Sequence, residues 1–154
     1  MNSSALSGTA TTPVPAGVMI FLDSQYLQGS CSTENYIKAL TDCLANIVQS
    51  PTSAAIKFHP GEKNPERKSQ IMDAIRAVKS ITSLIELPTD YIAERMIFDP
   101  EVKAVVGTSA LGFYIGERGF QTFTFSTRLA KTSPKYAKIL EQLPAEFLEV
   151  CQSA

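Results

Sequence analysis

Two hydrophobic rhythms alternate along this chain. Short continuous apolar runs are followed by stretches in which apolar residues return every three or four positions. A continuous run reads as a strand buried on both faces, and the longer rhythm as an amphipathic helix. Gly17–Leu22 is the first such strand. Ser32-Thr33-Glu34 then offers a cap and a first-turn acid, and Tyr36, Ile37, Leu40, Leu44, Ile47 and Val48 follow at helical spacing. Ala54–Phe58 is the second strand, and Asn64-Pro65 opens a helix with Ile71, Ile75 and Val78 on one face. Ser83–Leu87 is a third strand stopped by Pro88, with a short helix from about Asp90 to Ile97. Lys103–Val106 is the fourth, followed by a glycine-containing helix from Ser109. Gln121–Phe125 is the fifth. Ser133-Pro134 caps the last helix, with Tyr136, Ile139, Leu140 and Leu143. Pro144 interrupts it before a short amphipathic tail holding Phe147, Leu148 and Val150.

Strands alternating with helices predict an α/β fold: a single doubly wound, Rossmann-like domain with a five-stranded parallel sheet and right-handed crossovers. The domain spans 17–154. Residues 1–16, rich in Ser, Thr, Ala and Pro, read as a flexible leader and lack the basic start and apolar stretch of a signal peptide.

Composition narrows the partners. With 154 residues, 44% hydrophobic and 19% charged, the chain can bury one full core. A net charge of −1 gives no general pull on nucleic acid, so an anionic ligand needs a local arrangement of donors. The three cysteines, Cys31, Cys43 and Cys151, have no metal-like spacing and suit a reducing compartment. No apolar run reaches the ~18 residues of a membrane span. No metal site is expected.

In an open parallel sheet, ligands bind beyond the carboxyl ends of the strands, where strand order reverses. Each predicted strand runs there into polar or turn residues: Ser24-Gln25, His59-Pro60-Gly61, Pro88-Thr89-Asp90, Gly107-Thr108-Ser109 and Ser126-Thr127-Arg128. With strand order 3-2-1-4-5, strands two and four flank strand one at ~10 Å from each other. His59, the one histidine, and the Thr108-Ser109 pair then reach toward a phosphate from two sides. Gly107 allows close approach, and the helix after Ser109 supplies amides. Each residue also has a plainer reading: His59 as a turn histidine, Thr108 and Ser109 as helix caps, and Glu94 as a solvated acid. The glycines match neither a P-loop nor a dinucleotide fingerprint.

Taken in order, these segments resemble bacterial sialyltransferases, including the capsule polysialyltransferases. Ile56-Lys57-Phe58-His59-Pro60 resembles their lysine-x-His-Pro motif, and Gly107-Thr108-Ser109-Ala110-Leu111-Gly112-Phe113 their paired-hydroxyl motif. Residues 85–94, ending in Glu94, resemble the intervening Pro…Glu segment, and Ile20–Gln25 the opening strand of the donor-binding half in some relatives. The likeness covers about residues 17 to 130. It implies the C-terminal, CMP-sugar-binding half of a two-domain GT-B glycosyltransferase that builds surface glycans. His59 would then bind the donor phosphate and protonate departing CMP. Thr108 and Ser109, beside Gly107, would bond that phosphate, Glu94 would hold the ribose, and Lys57 and Pro60 would help place the nucleotide. The donor is a substrate, and no separate cofactor is implied. The acceptor glycan and its activating carboxylate would belong to an N-terminal half outside these residues, or a homodimer would complete the site. The expected location is the cytoplasm or, peripherally, the inner face of the membrane. The alternative is a nucleotide or nucleotide-sugar binding module without turnover. A response-regulator-like domain fits poorly, because Asp23 stands without the acidic partners that chemistry needs.

Overall fold

A computed structural model describes residues 16–88 and 101–154. Its centre is a parallel sheet of β1 (Val18–Phe21), β2 (Thr52–Lys57), β3 (Ile81–Glu86), β4 (Lys103–Val106), β5 (Gln121–Thr124) and β6 (Gln152–Ser153), in the order β3-β2-β1-β4-β5-β6. The first five strands take the order 3-2-1-4-5, the condition under which strands two and four flank strand one. The strand number differs from the five expected: the described residues hold six. The sixth strand has two exposed polar residues and no hydrophobic rhythm of its own. It exists because Gln152 and Ser153 pair with Phe123 and Thr124.

Strand residues alternate between two apolar layers, as a two-residue period requires. Val18, Ile20, Ala54, Ile56 and Val105 face one layer, shared with α1 (Thr33–Ile47), α2 (Pro65–Arg76), α4 (Ser126–Thr132) and α5 (Pro134–Glu141). Met19, Phe21, Ala55, Ala104 and Val106 face the other, shared with α3 (Ala110–Glu117) and α6 (Glu146–Val150). Both faces of the sheet are therefore covered. Ile20, Ile56, Leu40 and Ile71 are wholly buried, and each such side chain contributes roughly 1.5–3 kcal/mol.

Local chemistry starts the helices where the pattern placed them. Ser32 accepts the Asn35 amide, and Asn64 accepts those of Glu66 and Arg67 ahead of Pro65. Ser126 begins α4 directly after β5, so the polar residues read as a strand-end turn are already helical. α5 is followed by α6 rather than being the last helix. The helix expected from about Asp90 to Ile97 lies outside the described residues. Among the described residues, no helix is long and apolar enough to cross a membrane.

Candidate functional site

The carboxyl ends of β2, β1 and β4 form the centre of one sheet edge. Phe21 pairs with Lys57 on one side and Val106 on the other. Two residues past that register stand His59 after β2, Asp23 after β1 and Thr108 after β4, the last two joined by a hydrogen bond. Lys57, His59 and Pro60 therefore stand on the β2 side, and Gly107, Thr108 and Ser109 on the β4 side. No hydrogen bond joins the two groups among the described residues, and β1 lies between them. Glu94 lies outside the described residues.

What stands between them is Asp23, a carboxylate only 8% exposed. Its Oδ1 accepts the Tyr36 hydroxyl at 2.9 Å and the Gln25 amide at 3.2 Å. Its Oδ2 accepts the Thr108 amide at 2.9 Å, with the Thr108 hydroxyl at 3.5 Å. Every one of these donors is uncharged. Burial, the largest influence, pushes the Asp23 carboxyl above its ordinary value of 3.8, while the donors pull back against it. Gly107 is needed for this approach: a β-carbon there would sit 2.2 Å from Oδ2. The Thr124 hydroxyl donates to the Gly107 carbonyl at 3.0 Å and fixes the turn from β5.

Ser109 follows as the cap of α3. Its Oγ accepts the Leu111 amide at 3.1 Å, which leaves its own proton to donate outward. Across β1, the His59 Nδ1 accepts the Gly61 amide at 3.0 Å. A neutral His59 accordingly carries its proton on Nε2, available to a ligand oxygen.

The turn after His59 points a second carboxylate inward. Glu62 is 4% exposed and takes two bonds from Arg67, both at 2.7 Å. It also accepts the Tyr26 hydroxyl at 2.9 Å and the Asn64 amide at 3.2 Å. The Arg67 bonds, the largest influence, hold the Glu62 carboxyl below its ordinary value. Tyr26 and Tyr36 pack ring to ring at 4.6 Å and so connect the two carboxylates. Sequence reasoning missed this network. No local signal marks it, since an acid directly after a strand, as Asp23 is, resembles any polar turn residue.

Fold and edge together define a class: a doubly wound, Rossmann-like α/β domain with the polar residues after β1, β2 and β4 gathered on the carboxyl edge of its sheet. Comparison with known proteins adds no closer relation, since no family model, no curated protein and no solved structure matches the chain. Among the described residues, no group of three His, Cys, Asp or Glu side chains could hold a metal ion.

Proposed function

We propose that this domain binds the nucleotide end of a CMP-activated sugar, as the donor half of a sialyltransferase-like glycosyltransferase. The observation that carries the reading is the register that sets His59 and Thr108-Ser109 on either side of β1. An anion on the Ser109 side of the β4 turn, away from Asp23, meets the Ser109 hydroxyl and the remaining first-turn amides of α3, with the His59 Nε2 proton across β1. Breaking the bond from sugar to phosphate gathers negative charge on departing CMP, and these donors stabilise that charge. Asp23 has a supporting part here. It takes up the Thr108 amide, so the phosphate sits on the Ser109 side of the turn, and Asp23 fixes that turn from behind.

A second reading, binding without turnover, rests on a separate observation. Asp23, Glu62 and Glu86, the described carboxylates nearest the ends of β1–β3, are all engaged, Glu86 by Lys68 at 2.7 Å. None is left to activate an acceptor hydroxyl, so transfer would need a base from elsewhere.

Titration calorimetry of CMP, UMP and AMP tests both. CMP is expected to bind in the micromolar to millimolar range, roughly −8 to −4 kcal/mol, ahead of the other two. His59→Ala should weaken CMP more than cytidine, which lacks the phosphate. Equal or absent heats for the three nucleotides would remove the CMP assignment.

A further inference from the structure

The two lateral edges of the sheet are built differently. β6 closes one with two exposed polar residues. β3 closes the other with six residues, and among the described residues no strand pairs with its outer side. Shortness, proline and lysine are the usual protections of an edge against another chain. β6 is short, whereas β3 carries neither a proline nor a lysine. Its one acid, Glu86, is drawn onto Lys68 of α2 at 2.7 Å. Between Leu84 and Glu86 stands Ile85, 46% exposed, one of two large hydrophobic side chains left on the surface of the described residues.

Peptide groups alternate sides along a strand, and Leu87 donates its amide to the Ile56 carbonyl of β2 at 2.8 Å. Ile85 therefore also turns its amide and carbonyl toward β2, while Leu84 and Glu86 turn theirs outward. The outward set does not extend regularly to Thr82, because the register between β2 and β3 shifts there. Pro88 has no amide to add at the other end. The open ladder is thus Leu84-Ile85-Glu86, centred on Ile85.

That ladder is complementary to itself. In an antiparallel copy related by a two-fold axis through Ile85, Leu84 of each chain meets Glu86 of the other, with about four hydrogen bonds between them. The two Ile85 side chains then stand directly opposite each other, with Cα atoms ~4.5 Å apart. On the other face, Leu84 of one copy lies beside the Glu86–Lys68 pair of the other, where the lysine stem offers apolar surface. Symmetry alone covers the exposed isoleucine, since a two-fold contact sets the same patch against itself.

We propose that β3 is a homodimer interface, at which two copies of this chain join antiparallel with Ile85 on the axis and form one continuous sheet. So short a ladder belongs to the small, transient class of interface, and the dimer is concentration-dependent. The interface does not depend on the nucleotide reading, and CMP calorimetry does not test it.

Sedimentation velocity of the full chain, from roughly 1 μM to 1 mM, should show monomer passing into dimer. Ile85→Lys sets two like charges on the axis and should weaken the dimer roughly ten-fold or more. Leu148→Lys, at the other exposed hydrophobic, should dimerise like the parent. Hydrogen exchange on the parent chain identifies the edge without any variant. The Leu84 and Glu86 amides should gain protection as concentration rises, and the Leu87 amide, already bonded to β2, should not. Under mild oxidation Ile85→Cys should link into a covalent dimer, and Ser83→Cys, displaced from the axis, should not. Monomer at every concentration, a dimer indifferent to Ile85→Lys or lost in Leu148→Lys, protection at Leu84 and Glu86 that ignores concentration, or cross-linking through Ser83→Cys instead of Ile85→Cys would each overturn the proposal.

Discussion

Two buried carboxylates share one edge of the sheet and are held in opposite ways. Glu62 has a cation: Arg67 grips both of its oxygens at 2.7 Å. Asp23 has only dipoles, from Gln25, Tyr36 and Thr108. The Glu62 corner is a closed ion pair that anchors the β2–α2 turn to Tyr26. The Asp23 corner joins β1 to a turn 85 residues away without cancelling its own charge. Asp23 thus holds a turn beside the candidate site with its carboxylate met by dipoles alone, whereas Glu62 is a satisfied ion pair within the scaffold. The contrast separates the candidate site from its scaffold.

The largest expected effect comes from crowding the Asp23 corner. Gly107→Ala places a β-carbon 2.2 Å from Oδ2, and either the carboxylate or the β4 turn must move. Overpacking of this kind costs about 3 kcal/mol, to be read from urea unfolding. Combining it with Asp23→Ala should recover part of the loss, because the clashing atom is gone. A Gly107→Ala chain as stable as the parent would mean that Asp23 does not hold this turn.

The next effect is smaller and appears as opposite trends with pH. Asp23 has a folded value raised above 3.8. Its contribution to stability is complete below 3.8 and is lost as pH rises through the folded value. Glu62 has a folded value lowered from 4.5. Its contribution is present above 4.5 and is lost as pH falls through the folded value. Unfolding measured from pH 7 downward should therefore show the parent gaining on Asp23→Asn as pH drops toward 3.8. The parent should lose its advantage over Glu62→Gln below 4.5. Parallel trends for the two variants would erase the distinction between the corners.

Legibility from sequence divides along the same line. The first five strands follow from runs such as Gly17–Leu22 and Lys103–Val106, because burial on both faces leaves a local, continuous signature; their order does not, since pairing is long-range. Asp23 and Glu62 leave none. An acid after a strand looks like any polar turn residue, and the partners that bury Asp23 lie 13 and 85 residues away. Tyr36 was legible as an apolar helix position, but the aim of its hydroxyl was not. β6 was illegible for a similar reason, since two polar residues become a strand only beside β5. His59, Thr108 and Ser109 could be placed on their turns from sequence because a strand end needs only local chemistry. What occupies the space between them is long-range.

The smallest effect concerns the caps of the two corners. Asn64 begins α2 beside Glu62 and accepts two amides, from Glu66 at 3.0 Å and Arg67 at 3.2 Å. Ser109 begins α3 beside Asp23 and accepts one, from Leu111 at 3.1 Å. Removing a cap costs about 0.5–2 kcal/mol, and Asn64→Ala should fall in the upper half of that range. It frees two donors and also loosens the backbone that presents Arg67 to Glu62. Ser109→Ala should cost about 1 kcal/mol or less, since it frees one. Nucleotide binding should rank the two variants the other way. Ser109 keeps its own proton for a phosphate oxygen, so its removal should weaken CMP while Asn64→Ala leaves the affinity near that of the parent. Measuring melting temperature and CMP heat on the same two variants checks both halves of the claim. If Asn64→Ala lost more affinity than Ser109→Ala, the Glu62 corner would belong to the ligand site, and the division between scaffold and site would fall.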